Sequence, residues 1–260
     1  MPSPFVPVQM SYEPAPHAHL RIDQLLPAEE YRTLSFPDHL ILPEKWGLTA
    51  SDAEYQSLLH DPKWAALHRG LTGPAFVQSV LAAFAPAMSE FACLVDPERA
   101  RLVPFVESRE EKEQSSLSDT ADANEIFVRL DFQSKPAGGY RDFVHLDWPR
   151  RIVGGILFFS DADEEGLDGG ELAFYRDRGF RNDRWCHDPE LVATFPPRAN
   201  SGIIFLNSNG AFHGPRPIRA LRGRRRWLYY TISSRRDVWP CAERLAEAAA
   251  ARRTASTTSR

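Results

Sequence analysis

The chain has 260 residues, of which 43% are hydrophobic and 25% charged, enough for one large domain or two small ones around a sizeable core. A formal charge of -4 argues against a dedicated nucleic-acid binder, and three dispersed cysteines without a CxxC pair exclude a thiolate zinc knuckle and fit a reducing compartment. No run approaches the length of apolar residues a bilayer span needs, and no basic-then-apolar leader is apparent, so a soluble cytoplasmic protein is expected.

The opening MPSPFVPVQMSYEPAP is rich in proline and is expected to be an extended lead. HLRIDQLLPAEEYRTL reads as a strand entering a helix: residues alternate from His19 to Asp23, and Pro27 opens a turn rich in glutamate. In TGPAFVQSVLAAFAPAMSEFACLV, the spacing of Phe76, Val80, Leu81 and Phe84 predicts a helix packed on a sheet, with Thr72 as N-cap and Pro74 just inside. The segment VESREEKEQSSLSDTADANE is almost wholly polar and is expected to be a mobile loop, either a surface insertion or a lid over a pocket.

The texture then changes. EIFVRLDF, RIVGGILFFS, GELAFY, LVATFPP, SGIIFLN and RRWLYYTIS are short runs rich in β-branched and aromatic residues, bounded by Gly, Pro, Asp and Asn. They predict an all-β unit with no room for crossover helices. The chain therefore divides into an N-terminal strand and helical support over 1–105, a polar loop or lid over 106–124, a β-rich core over 125–240, and a tail over 241–260.

Within YRDFVHLDWPRR, His145 and Asp147 stand two apart, so on a strand they project from one face while Val144 and Leu146 take the other. A third ligand must come from a strand distant in sequence, and the candidate is His213 in NSNGAFHGPRP. Two imidazoles and one carboxylate hold Fe(II) without saturating it and leave open positions for a 2-oxoacid and dioxygen. The far carboxylate of such an oxoacid needs a cation, and an arginine grips it with two parallel hydrogen bonds. RRRWLYY supplies one: Arg225, Trp227 and Tyr229 share one face of the strand, and Arg224 and Arg226 the other. Zinc accepts the same donors, but the HExxH pattern of a helical zinc site is absent. His17 and His19 lie outside the glycine-bounded strands and read as structural or exposed.

Taken in order, these motifs resemble the iron(II)/2-oxoglutarate-dependent oxygenase superfamily, in particular its prolyl-4-hydroxylase-like branch. The resemblance covers most of the chain: PHAHLRIDQLLPAEEYRTLSFPD, HLDWPRRIVGGILFFSD, DEEGLDGGELAFY, SGIIFLNSNGAFHGPRPI and RRRWLYYTIS. It implies a double-stranded β-helix, the cupin-like jelly roll, as an all-β core with flanking helices. It implies His145, Asp147 and His213 as iron ligands and Arg225 as the residue holding the 2-oxoglutarate C5 carboxylate, with Arg224 or Arg226 as rivals. Fe(II), 2-oxoglutarate and O2 are the implied cofactor and cosubstrates, with 2-oxoglutarate decarboxylated to succinate. The carboxylate of Asp147, which the halogenases of this superfamily lack, favours hydroxylation.

Further residues carry open readings. Asn207 is a turn residue or a donor to the oxoacid, and Tyr229 stands on the cosubstrate face. Arg129 and Asp131 face either solvent or the barrel interior, where they must be paired or bind substrate. Trp148 is a pocket wall or simple packing, and Glu171, after the Gly169–Gly170 turn, a candidate for the pocket rim. The expected substrate is a small polar metabolite or natural-product intermediate rather than nucleic acid or a membrane component. The alternatives are a protein or peptide hydroxylase of the prolyl type and a non-catalytic cupin-like binding protein.

Overall fold

The computed structural model describes residues 7, 9–41, 47–136, 143–179, 184–220 and 222–240, so the tail expected over 241–260 lies outside the described residues. In chain order the elements are β1 (Gln9–Glu13), β2 (His19–Gln24), α1 (Ala28–Arg32), β3 (Gly47–Leu48), α2 (Ala53–Leu58), α3 (Pro62–Thr72), α4 (Pro74–Glu90) and β4 (Arg101–Leu102). The β-rich part follows as β5 (Glu125–Lys135), β6 (Arg151–Phe158), β7 (Leu172–Asp177), β8 (Pro189–Phe195), β9 (Ser201–Leu206), β10 (Phe212–Pro215) and β11 (Arg225–Ser234).

The larger sheet has the order β1-β2-β9-β6-β11-β5-β3, antiparallel along that path, with β4 parallel to β5. The smaller sheet is β10-β7-β8, and His145 extends it through bridges to His213 and Trp185. The chain thus alternates between sheets: β5 in the large one, His145 in the small, β6 large, β7 and β8 small, β9 large, β10 small, β11 large. That alternation between two facing antiparallel sheets is the double-stranded β-helix, in agreement with the sequence.

Two apolar cores follow from the strand period of two. Leu130, Phe132, Leu157, Ile204, Leu228, Tyr230 and Ile232 leave the large sheet on one side and pack with Trp64, Phe76, Leu81 and Phe84 of α3 and α4. Phe158, Ile203, Phe205 and Trp227 leave it on the other and meet Leu172 and Phe174 of the small sheet inside the roll.

Several expectations need correction. Gln9–Glu13 is not a free lead but an edge strand paired with β2. The cap of α4 is Gly73, not Thr72, because the Thr72 hydroxyl is turned back to donate to the His68 carbonyl at 2.8 Å. The helical stretch Pro62–Glu90 is long and apolar enough to cross a membrane. It is divided by the extended backbone of Gly73, and the apolar face of α4 is buried in the core, as in a core helix.

The segment 106–124 also differs from the mobile loop its polarity suggests. Glu107 is 6% exposed and bridges two arginines, Arg129 of β5 and Arg150. Arg150, fully buried, donates from Nε to the Gln114 carbonyl at 3.0 Å and from Nη2 to the Glu111 carbonyl at 3.0 Å. Leu117 N donates to the Arg235 carbonyl at 2.7 Å. The segment is fastened over the roll because Glu107 is matched by two arginines and its backbone carbonyls are taken by Arg150. Removing one partner leaves the others buried and uncompensated, so Glu107→Ala is expected to cost about 3–5 kcal/mol of unfolding free energy, read from urea denaturation.

Candidate metal centre

The two-residue spacing of His145 and Asp147 does bring both side chains to one place, but through a single bridge rather than a regular strand. His145 N donates to the His213 carbonyl and His213 N to the His145 carbonyl, each at 2.9 Å, which locks two ligand candidates side by side. Leu146 N donates to the Arg184 carbonyl at 2.8 Å, and Cys186 N to that of Val144 at 3.0 Å, while Val144 and Leu146 pack outside against Tyr175 and Phe212. The opposite direction is left to His145 and Asp147, as the alternation requires.

The donor atoms of His145, Asp147 and His213 lie within 4.8 Å of one another. His145 Nε2 stands 3.7 Å from Asp147 Oδ1, and His213 Nε2 4.0 Å from Asp147 Oδ2. His213 Nδ1 lies 3.0 Å from the Ala211 carbonyl, an acceptor that fixes the proton on Nδ1 and leaves the Nε2 lone pair turned to the centre. Burial first, then the neighbouring His145, pushes the His213 imidazole down to about 4, so it stands as the neutral ligand a metal requires. Burial alone would raise the Asp147 carboxyl, but Arg151 and the two histidines hold it well below the usual carboxylate range. Neutral nitrogens, one fixed carboxylate and matching distances fit a divalent metal.

Gly154 makes room for that carboxylate. A Cβ placed there would lie 2.8 Å from Phe205 Cζ and 3.1 Å from Asp147 Oδ2, and the Phe205 ring is tilted against the His213 ring with centroids 4.4 Å apart. Gly154→Ala should therefore press on two ligands at once. Metal titration of that variant is expected to show Fe(II) affinity about tenfold weaker, with a stability loss of about 1–3 kcal/mol from overpacking.

Arg151 was not singled out in the sequence. It sits four residues after Asp147, is 4% exposed, and donates from Nη1 to Asp147 Oδ1 and to the Tyr229 hydroxyl oxygen, each at 2.6 Å. The Tyr229 hydroxyl in turn donates to Asp147 Oδ2 at 3.2 Å, so the ring expected on the cosubstrate face is in contact with the candidate carboxylate ligand. Burial, opposed by Arg151, holds the Tyr229 phenol far above its ordinary pKa and keeps it a neutral donor. The only sequence signal was the arginine pair closing HLDWPRR.

The arginine run resolves by face. Arg224 Nε donates to Ser134 Oγ at 2.7 Å, and Arg226 pairs with Asp38 at 2.6 Å and Glu165 at 2.5 Å, all on the outer side of β11. Arg225 points into the roll with Trp227 and Tyr229, 2% exposed, its guanidinium 4.2 Å above the Trp227 ring and its Nε donating to the Gly170 carbonyl at 2.8 Å. Gly170 (φ +75°) forms the close approach: a Cβ there would stand 3.1 Å from Arg225 Cδ. The expected Gly169–Gly170 turn is thus a wall behind the arginine as well as a turn.

The remaining candidates distribute unevenly. Asn207 Oδ1 accepts from Asp147 N at 3.2 Å, and its Nδ2 donates to the carbonyls of Trp148 at 3.2 Å and Arg151 at 3.1 Å, so its amide braces the ligand-bearing turn instead of facing an oxoacid. Arg129 and Asp131 do face the interior, Asp131 in register with Tyr229, but they are paired with each other at 2.6 Å. Trp148 lies at the rim with the Arg184 guanidinium stacked 3.7 Å above its ring. Glu171 precedes β7 and lies outside the His145, Asp147 and His213 group, with its Oε2 buried and without a hydrogen-bond partner among the described residues. His17 and His19 are structural: His17 Nε2 donates to the Tyr175 carbonyl at 2.9 Å, and His19 Nδ1 to that of His17 at 2.7 Å.

Structural neighbours of this chain include prolyl 4-hydroxylases and a 2OG-Fe(II) oxygenase. A prolyl 4-hydroxylase from Phytophthora capsici is 17% identical with a TM-score of 0.45, over 83% of this chain and 58% of that one. A prolyl-4-hydroxylase from Pseudomonas putida is 17% identical with a TM-score of 0.41, over 85% and 95%. An oxidoreductase of the 2OG-Fe(II) oxygenase family from Burkholderia pseudomallei is 22% identical with a TM-score of 0.30, over 47% of this chain and 50% of that one. The chain thus spans little more than half the length of the first of these and half of the Burkholderia protein. No protein-family model matches the chain, and no curated protein matches it. Residue roles here rest on the geometry of the chain itself.

Proposed function

We propose that this chain is an Fe(II)- and 2-oxoglutarate-dependent oxygenase that hydroxylates a C–H bond of a small polar molecule. One observation carries the reading. A His-Asp-His set and a buried arginine face the same interior of a double-stranded β-helix, while both rival arginines are held on the outside. When bound, iron and 2-oxoglutarate supply the oxidising power: one oxygen atom of O2 enters succinate, the other the substrate, and CO2 leaves. His145, Asp147 and His213 hold the metal. Arg151 and the Tyr229 hydroxyl orient the carboxylate ligand, and Arg225 receives the C5 carboxylate of the cosubstrate. Trp227 and Phe158 beside it exclude water, which strengthens that ion pair.

A buried arginine facing the same interior as the His-Asp-His set favours an oxygenase over a cupin-like binder, which needs no grip on an oxoacid. A small substrate is supported by the fastened segment around Glu111–Gln114, which crosses the mouth beside Arg150 and Arg151. A peptide substrate has one observation in its favour: Phe143 and Trp185, 44% and 46% exposed, flank His145 and line a cavity of about 470 Å³. The test is a screen of metabolites and peptides with Fe(II) and 2-oxoglutarate, reading succinate release and product mass. Substrate-dependent succinate with a small molecule gaining one oxygen supports the proposal. Turnover confined to peptides replaces its substrate class, and an absence of turnover with both sets contradicts it.

A further inference from the structure

Three of the arginines around the centre are matched by carboxylates. Arg129 pairs with Asp131 and Glu107, Arg150 with Glu107, and Arg151 with Asp147, so three arginines meet three carboxylates. Lys112 is an additional cation. It stands on the 3₁₀ turn Glu111–Glu113, with its ammonium 5.9 Å from the centroid of the Tyr229 ring, whose hydroxyl touches Asp147. Among the described residues its Nζ has no hydrogen-bond acceptor and no ion-pair partner; the face of Tyr229 is its nearest support.

Nor is the position accidental. The Lys112 carbonyl accepts from Arg150 Nη2 at 3.4 Å and Arg151 Nη2 at 3.5 Å, so the two arginines that follow the ligand turn also set where this lysine stands. Burial pulls the Lys112 ammonium below its ordinary pKa, with Arg129 and Arg151 adding repulsion to the partial help of Asp131. Lys135, in register with Arg225, is pushed down to about 8 by burial, then by Arg225 and Lys112. A partly buried cation among other cations is costly to keep unless a ligand completes it. Fe(II) and 2-oxoglutarate bring opposite charges that cancel, and the cosubstrate's far carboxylate goes to Arg225, so neither is the counter-ion for Lys112.

We propose that Lys112 is the substrate-recognition residue of this pocket and that the substrate presents a carboxylate to it. This rests on the oxygenase reading above. Lys112 then orients the substrate from the side of Tyr229, one ring away from the metal-binding carboxylate, and the polar segment that carries it acts as a specificity element. A charge-assisted hydrogen bond in such a site discriminates a carboxylate from a neutral isostere by about tenfold or more.

The experiment uses full-length protein loaded anaerobically with Fe(II) and saturating 2-oxoglutarate. Matched pairs of acetate and acetamide, benzoate and benzamide, and phenylacetate and phenylacetamide are titrated by calorimetry, for the native chain and for Lys112→Met. The expected result is carboxylate binding about tenfold tighter than amide binding in the native chain, and equal binding in Lys112→Met. Affinities for Fe(II) and 2-oxoglutarate should stay within about twofold of native in that variant. Equal binding of acids and amides by the native protein overturns the proposal. So does a Lys112→Met variant that loses 2-oxoglutarate affinity, which would place the lysine in the cosubstrate clamp. Failure of the native protein to bind Fe(II) or 2-oxoglutarate is read in the loading step and overturns the oxygenase reading, and this proposal with it.

Discussion

His145→Ala is expected to weaken Fe(II) binding by more than about 100-fold and to abolish 2-oxoglutarate turnover while leaving the fold in place. Changes that only disturb the surroundings of a ligand cost about 10–100-fold in metal affinity, and this one removes a ligand outright. The fold survives because His145 enters the small sheet through its backbone, by the reciprocal bonds to His213, and alanine keeps both. Asp147→Ala removes metal binding too, but it strips Arg151 of its carboxylate inside the roll and should cost about 3–5 kcal/mol in stability as well. Metal content by elemental analysis, read beside a thermal melt, separates the two variants: metal-free with a native-like melt for His145→Ala, metal-free with a lowered melt for Asp147→Ala. Full iron occupancy in His145→Ala would remove that residue from the ligand set.

Arg225→Ala is expected to weaken 2-oxoglutarate by about 100-fold with Fe(II) affinity nearly unchanged. Truncating one partner of a desolvated charge pair costs about 2–5 kcal/mol, which spans that factor. Arg224→Ala and Arg226→Ala should leave 2-oxoglutarate affinity within about twofold of native, because their guanidinium groups lie across the sheet on Ser134, Asp38 and Glu165. Arg226→Ala instead breaks two ion pairs that tie β11 to Asp38 and Glu165, so its effect belongs in the melting temperature. Equilibrium titration of the cosubstrate into each metal-loaded variant makes the comparison. Loss of affinity in Arg224→Ala or Arg226→Ala, with Arg225→Ala normal, would reverse the assignment of faces.

The strands of the roll and the pair His145–Asp147 are legible because both depend on a period of two, which the order of the residues displays directly. RIVGGILFF and RRWLYYTIS became β6 and β11, and the face shared by Arg225, Trp227 and Tyr229 is the interior one. What sequence left open was long-range pairing. For Arg129 and Asp131 the sequence leaves interior and exposed both open, and the bonds of Arg129 to Asp131 and to Glu107 join β5 to a segment 22 residues earlier. The same pairing hid the character of residues 106–124: a run of acids and serines looks solvated until Arg150 is seen beneath it. For Asn207 the sequence leaves both readings open, because an amide ending a strand fits a ligand contact and a backbone brace equally well, and its bonds to Trp148 and Arg151 come from the fold. Arg151 carries no signal beyond the arginine pair closing HLDWPRR, since its partners Asp147 and Tyr229 come from two different elements.

The most direct measurement is an anaerobic titration of Fe(II) and then 2-oxoglutarate into the purified chain, followed by admission of O2. The predicted result is one Fe(II) per chain, one 2-oxoglutarate bound only after the metal, and succinate formed once oxygen enters. Binding of 2-oxoglutarate at full affinity without metal, or iron bound with no succinate at any oxygen level, would contradict the account.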